Sequence, residues 1–211
     1  MNNIKIGVID YGIGNVSSIC NIIQKVGSEV KVLSSPEMIE NVTAIILPGV
    51  GSFDKAMCKL EEGGWIEPLY KHAVVNNKFF LGICLGMQLL TKNSQEGKEK
   101  GLGFVDAETV SFDINKMTNE KKIPHMGWNV VNVKNNNTLF ALDEPEKRFY
   151  FAHSYHVVCN NKKDILLTTD YGYSFTSSFR VGNIIGVQFH PEKSHHFGYQ
   201  FFERMINEVS G

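Results

Sequence analysis

The chain has 211 residues, 43% hydrophobic and 20% charged, with 21 Lys and Arg against 22 Asp and Glu. A net charge of −1 excludes the basic field that a nucleic-acid binder or an electrostatically held membrane protein needs. A chain of this length buries about 70% of its unfolded surface, so one core forms without disulfides or a structural metal.

Cys20, Cys58, Cys84 and Cys159 make no C-x-x-C pair, and reduced thiols fit a cytosolic protein. The first five residues start no signal peptide. The longest apolar runs, such as residues 44–47, are strand-length, far short of a membrane span. One domain over residues 1–211 in the cytoplasm is expected.

Lys5-Ile6-Gly7-Val8-Ile9-Asp10 reads as a buried parallel strand. Val16, Ile19, Cys20 and Ile23 then mark one face of a helix. Residues 29–33 form a second strand, and Ala44-Ile45-Ile46-Leu47 a third, stopped by Pro48-Gly49-Val50-Gly51. Helices are predicted over residues 52–62 and 66–75. Phe79-Phe80-Leu81-Gly82-Ile83 is a fourth strand, with a helix starting just after Cys84. Strand, turn and helix in repetition give a parallel sheet with helices on both faces.

After about residue 100 the rhythm changes. Short strands are predicted over residues 105–112, 130–134, 149–151, 157–159, 165–169, 175–179 and 184–188, with few helical periods between them. These are expected to be antiparallel or mixed. Phe197, Phe201, Phe202, Met205, Ile206 and Val209 make the apolar stripe of a last helix. The fold class is therefore α/β, three-layered and flavodoxin-like in general build. Its sheet is expected to be mixed and mainly parallel, with added antiparallel strands.

Gly82-Ile83-Cys84-Leu85-Gly86 has the form G-x-C-x-G at a strand-to-helix junction, the cysteine version of a nucleophile elbow. Glycines let strand and helix approach closely, and a helix N-terminus beside the thiol lowers its pKa and offers N–H donors. A cysteine nucleophile needs a base. His190 follows the strand 184–188, at the edge where open α/β sheets place their sites. Glu192 lies two residues on, with Pro191 stiffening the link, and can orient the imidazole. Cys84, His190 and Glu192 are the candidate triad.

Other constellations are incomplete. Gly12-x-Gly14-x-x-Ser17 after the first strand lacks the third glycine and the closing acid of a dinucleotide site. His153-x-x-His156 and His195-His196 lack the further ligands of a metal site. No cofactor and no metal are expected.

With Gln88 after the elbow and Gln188-Phe189-His190-Pro191-Glu192-Lys193-Ser194, the chain resembles the class I, triad-type glutamine amidotransferases. Three further features narrow the resemblance. Pro48-Gly49-Val50-Gly51 replaces the commoner Pro-Gly-Gly, Met87 stands where many relatives carry His, and Pro124-His125-Met126-Gly127-Trp128-Asn129 is a further signature. These are similar to the branch formed by the glutaminase subunits of imidazole glycerol phosphate synthase, in histidine biosynthesis.

The resemblance implies hydrolysis of L-glutamine to glutamate and ammonia. It implies oxyanion donors at the Leu85 N–H and within Gly49-Val50-Gly51, Val50 above all, with a peptide flip there as a switch. It implies that Gln88, Glu96, Ser154 and Tyr155 bind glutamine. It also implies a heterodimer with a (β/α)8-barrel cyclase, docked through Asn15, Met126, Trp128, Asn129 and Lys193. Trp is a typical anchor of such surfaces, although a core aromatic at a strand start is the alternative for Trp128.

Several positions depart from the branch. His156 replaces its usual Tyr, and Asp106-Ala107 a frequent Pro-Gly. Asp170-Tyr171-Gly172-Tyr173 and Ser194-His195-His196-Phe197-Gly198 resemble a paralogous set that feeds ammonia to the amidation of surface-polysaccharide sugars. Both ammonia acceptors stay open on the sequence. A thiol hydrolase without ammonia transfer would leave residues 124–129 unexplained. A non-catalytic binding subunit would carry a damaged triad.

Overall fold

The computed structural model describes residues 5–117, 122–135, 137–141 and 145–210. β1 (Ile6–Ile9) is buried at all four positions, as a strand flanked on both sides and covered on both faces must be. The chain continues through α1 (Val16–Lys25), β2 (Val30–Leu33), β3 (Ala44–Gly49), α2 (Phe53–Glu62), α3 (Ile66–Tyr70), β4 (Phe79–Cys84) and α4 (Leu85–Leu89). The second half supplies β5 (Ala107–Ser111), β6 (His125–Val133), β7 (Lys147–His153), β8 (Tyr155–Cys159), β9 (Ile165–Tyr171), β10 (Tyr173–Val181), β11 (Ile184–Val187) and α5 (His195–Ser210).

These strands join one sheet in the order β2-β1-β3-β4-β11-β10-β9-β6-β7, with β8 on β10 and β5 on β8. The first five in that order are mutually parallel. Every pairing beyond β11 is antiparallel. The last-formed strand β11 thus returns to the parallel part beside β4 and brings the residues after it to the strand ends where β4 stops.

Two apolar layers cover the sheet. Ile45 and Leu47 of β3 pack with Phe53, Leu60, Leu69 and Met87 from α2, α3 and α4. Ala44 and Ile46 pack on the other face with Ile19, Ile23, Phe201 and Phe202 from α1 and α5. The alternation along β3 is the two-residue period of a strand, and both sets are fully buried.

The predicted elements are present, several strands of the second half run a few residues further than predicted, and there are three further differences. β3 runs through Pro48 and Gly49, paired with Ile83 and Cys84. β1 accompanies β3 only as far as Ile46, so the N–H that Pro48 lacks is not missed on that side. The predicted helix 66–75 is α-helical to Tyr70 and then widens into a π-turn over Lys71–Val75, closed by Asn76 N–H on the Lys71 carbonyl. β6 starts at His125, five residues ahead of the predicted position 130. Its first half has no β-branched residue and includes Gly127 and Asn129, which hides the strand signal.

Candidate active site

Cys84 ends β4 and caps α4, with φ 55° and ψ −110°. A non-glycine residue at positive φ is strained, and such strain gathers at functional sites. The flanking glycines are required by space. A Cβ on Gly86 would stand 1.9 Å from the Leu47 carbonyl oxygen, and one on Gly82 2.6 Å from the Gly86 oxygen. The turn therefore forces the thiol out at the strand end while β3 and β4 stay in register.

His190 enters from β11. Its N–H donates to the Tyr150 carbonyl at 2.8 Å, and its own carbonyl accepts from Ser194 Oγ at 2.6 Å. That hydroxyl in turn accepts from Tyr150 N–H at 3.0 Å, so a buried serine clamps the backbone on either side of the ring. His190 Nδ1 lies 2.8 Å from Glu192 Oε1, which leaves Nε2 for the cysteine. Burial alone would lower the His190 pKa. The adjacent Cys84 sulfur, as charge and as hydrogen-bond partner, and then Glu192 outweigh it, raising the value to about 10. The structure thus brings Cys84, His190 and Glu192 together.

Behind the sulfur lies a pair of buried amides. Gln88 Nε2 donates to the Tyr155 carbonyl and to Gln188 Oε1, each at 3.0 Å. Gln188 Nε2 approaches Cys84 Sγ at 3.8 Å, and the Ala152 carbonyl lies 3.8 Å from the same sulfur. Ser154 joins β7 to β8, immediately ahead of Tyr155.

The loop after β3 faces the elbow. Gly49 pairs with Cys84, Val50 is exposed, and Gly51 takes φ +97°. Tyr11, from the end of β1, donates its hydroxyl to the Pro48 carbonyl at 3.0 Å and fixes where this loop begins. Glu96 is tied to the same region, since its Oε2 accepts Phe53 N–H at the start of α2 at 3.1 Å. Burial raises its pKa, Phe53 N–H opposes the rise and Asp54 adds to it. Asp54 reciprocates by accepting the N–H groups of Lys98 and Glu99 at 3.0 Å.

On an adjacent surface, Met126 is 64% and Trp128 46% exposed, so Trp128 is not the core aromatic of the alternative reading. Its ring stacks on His195 at 5.5 Å and meets Tyr150 edge-on at 6.4 Å. Lys193 is exposed and Asn15 half-buried at the cap of α1. Asn129 behaves differently. Its amide nitrogen is committed inward, to the Asp170 carbonyl at 3.0 Å and to His125 Nε2 at 3.2 Å. His125 Nδ1 meets His153 Nε2 at 3.0 Å, and His153 Nδ1 meets the Tyr155 carbonyl at 2.7 Å. Since the amide nitrogen and carbonyl ends fix the direction of donation, both imidazoles are neutral with the proton on Nδ1. Burial, followed by the neighbouring His125, pushes the His153 pKa well down.

In the sequence, Gln188, Ser194 and His125 stand within motifs and His153 in an incomplete metal pair, none with a role at this site, and Tyr11 is not singled out. For Gln188 a signal existed: it stands two residues before His190, just past the end of β11. Among the described residues no group of three His, Cys, Asp or Glu side chains could hold a metal ion. No helix of the described residues is long and apolar enough to cross a membrane.

A mixed sheet of this topology with a cysteine elbow defines the class. Residues 7–206 match the family model described as glutamine amidotransferase class-I, and the chain belongs to that family. It is 52% identical to the imidazole glycerol phosphate synthase subunit HisH 2 of Methanococcus maripaludis, over 97% of this chain and all of that one. It is 42% identical to the subunit of the same name from Pseudomonas aeruginosa, over 96% and 98% of the two chains. Within the class, the chain is therefore a member of the HisH family. Solved structures share the fold at lower identity. The structure of PurLQS from Thermotoga maritima aligns with a TM-score of 0.77 at 18% identity, covering 98% of this chain and 99% of that one. A glutamine amidotransferase from Thermotoga maritima aligns with a TM-score of 0.65 at 18% identity, over 100% of this chain and 85% of that one.

Proposed function

We propose that residues 1–211 form one cytoplasmic glutaminase domain that hydrolyses L-glutamine and passes the ammonia to a (β/α)8-barrel cyclase. The observation that carries the chemistry is the buried line from Cys84 through His190 to Glu192, with Cys84 held at positive φ.

The Cys84 thiolate attacks the side-chain amide carbon of glutamine. A C–S bond forms, and the carbonyl electron pair moves onto oxygen. The Leu85 N–H and a backbone N–H of Gly49-Val50-Gly51, that of Val50 in this reading, receive the oxyanion. As the tetrahedral intermediate collapses, the C–N bond breaks and the His190 imidazolium gives its proton to the leaving nitrogen, releasing ammonia. Neutral His190 then takes a proton from water as the oxygen attacks the thioester. Collapse of the second intermediate expels the Cys84 thiolate and yields glutamate. Glu192 holds the ring and stabilises its cation. Gln88, Glu96, Ser154 and Tyr155 surround the substrate. Glu96 is suited to its ammonium group because Oε2 alone is committed, to Phe53 N–H.

Ammonia freed into water is protonated and lost, which makes a docked acceptor necessary. Met126, Trp128, Lys193 and Asn15 form the proposed docking face, with Asn129 acting from behind it. The relatives' name supports an acceptor that makes imidazole glycerol phosphate; in this reading the same cyclase also releases aminoimidazole carboxamide ribotide. The chemistry is tested by glutamate release from glutamine and by labelling with an electrophilic glutamine mimic. Wild type is expected to do both and Cys84→Ala neither. Glutamate release by Cys84→Ala would overturn the reading.

A further inference from the structure

The polarity of the buried amides behind Cys84 follows from one fixed group. The Tyr155 carbonyl can only accept, so Gln88 must present its Nε2 to it. The second hydrogen of that nitrogen goes to Gln188 Oε1. With its oxygen committed, Gln188 must turn its own Nε2 to Cys84 Sγ, 3.8 Å away. Flipping Gln88 would set its oxygen against those of Tyr155 and Gln188, and flipping Gln188 would set two amide nitrogens against each other. Gln188 is wholly buried, and its backbone N–H is held by the Ser177 carbonyl at 2.9 Å, so the donor is fixed before any substrate arrives.

We propose that Gln188 is a catalytic residue of this site, its side-chain amide donating to the Cys84 sulfur and favouring the thiolate as nucleophile and as leaving group. The proposal rests on Cys84 being the nucleophile. A donor to sulfur favours the charged form, whereas the Ala152 carbonyl beside it can only accept from the thiol. The titratable groups facing the sulfur are His190, after β11, and Tyr11, after β1. Neither replaces the amide. His190 changes charge within each turnover, and the Tyr11 hydroxyl is committed to Pro48. While the thioester is cleaved, His190 passes from neutral to cationic, so its charge on the sulfur changes during the step. A fixed dipole from Gln188 serves that moment without reorganisation.

The test compares wild type, Gln188→Met and Gln188→Glu in the full-length chain. Met keeps the volume without a donor, and Glu keeps the shape but turns an acceptor to the sulfur. The rate of Cys84 alkylation by iodoacetamide is followed against pH by mass spectrometry, beside kcat and KM for glutamine and a thermal melt. Gln188→Met is expected to shift the alkylation profile to higher pH and cut the thiolate fraction at neutral pH about tenfold. Its kcat should fall by a similar factor with KM nearly unchanged, and Gln188→Glu should go further the same way. Folded Gln188→Met with a wild-type alkylation profile and kcat overturns the proposal. If Met does not fold, an unchanged profile in Gln188→Glu does so. A Cys84→Ala protein that still releases glutamate would instead refute the nucleophile assignment on which the proposal stands.

Discussion

His190 Nδ1 and Glu192 Oε1 are 2.8 Å apart, and both side chains are almost wholly buried. Pro191 between them restricts the backbone, so ring and carboxylate hold one arrangement. The second carboxylate oxygen, Glu192 Oε2, is buried without a hydrogen-bond partner, which leaves the imidazole as the group that stabilises this charge. Glu192→Gln keeps the shape and removes the charge. It is expected to reduce kcat by about two orders of magnitude with a much smaller change in KM. Steady-state glutamate release measures this, and wild-type kcat in Glu192→Gln would exclude the orienting role.

The His190 pKa gives a pH prediction whose sign is fixed. Burial would lower it, but Cys84 and Glu192 raise it to about 10, above the unfolded value of about 6.5. A raised cationic group stabilises the fold fully below the unfolded value, and that contribution is lost as pH rises through the folded one. Glutamine hydrolysis should fall over the same alkaline range as His190 loses the proton that ammonia needs. In Cys84→Ala the sulfur is gone, so the imidazole should titrate closer to neutrality. An NMR titration of His190 with the same midpoint in both proteins would contradict the pairing.

Gly86 tests the elbow itself. With the Leu47 carbonyl 1.9 Å from the site of an added Cβ, Gly86→Ala must push β3 away from α4. The cost should be about 3 kcal/mol or more, a fall in Tm of roughly 6–12 °C for a chain of this size. Differential scanning calorimetry reads this. A melting curve equal to wild type would mean that the turn is not as tight as its geometry says.

Trp128 tests the docking face. Half exposed and stacked on His195, it contributes little to the core, so Trp128→Ala should leave Tm within about 2 °C. Truncating an interface anchor costs at least about 2 kcal/mol, so the Kd for the cyclase should rise roughly 30-fold or more. Calorimetric titration with an unchanged Kd would place the interface elsewhere.

The parallel half of the fold was legible because β1, β3 and β4 carry continuous apolar runs ended by glycine or proline. The antiparallel half was legible in position but not in extent. β6 and β7 reach further than their apolar residues because His125 pairs with His153, Met126 with Ala152 and Trp128 with Tyr150, polar or exposed positions that no local pattern marks as strand. Cys84 and His190 could be read from local chemistry, the elbow turn and the strand end. The Gln88–Gln188 and His125–His153 contacts could not, since each joins residues 100 and 28 positions apart through strand order alone. Asn129 shows the same limit: its place in the motif suggests an interface, whereas its amide faces inward.

The most direct measurement is the rate of glutamate release by the purified chain, alone and with a barrel cyclase subunit carrying its ligand. Strong stimulation that disappears in Cys84→Ala is the expected result. Absence of stimulation, with Cys84 still labelled by a glutamine mimic in wild type, would contradict the cyclase as the acceptor of the ammonia made here.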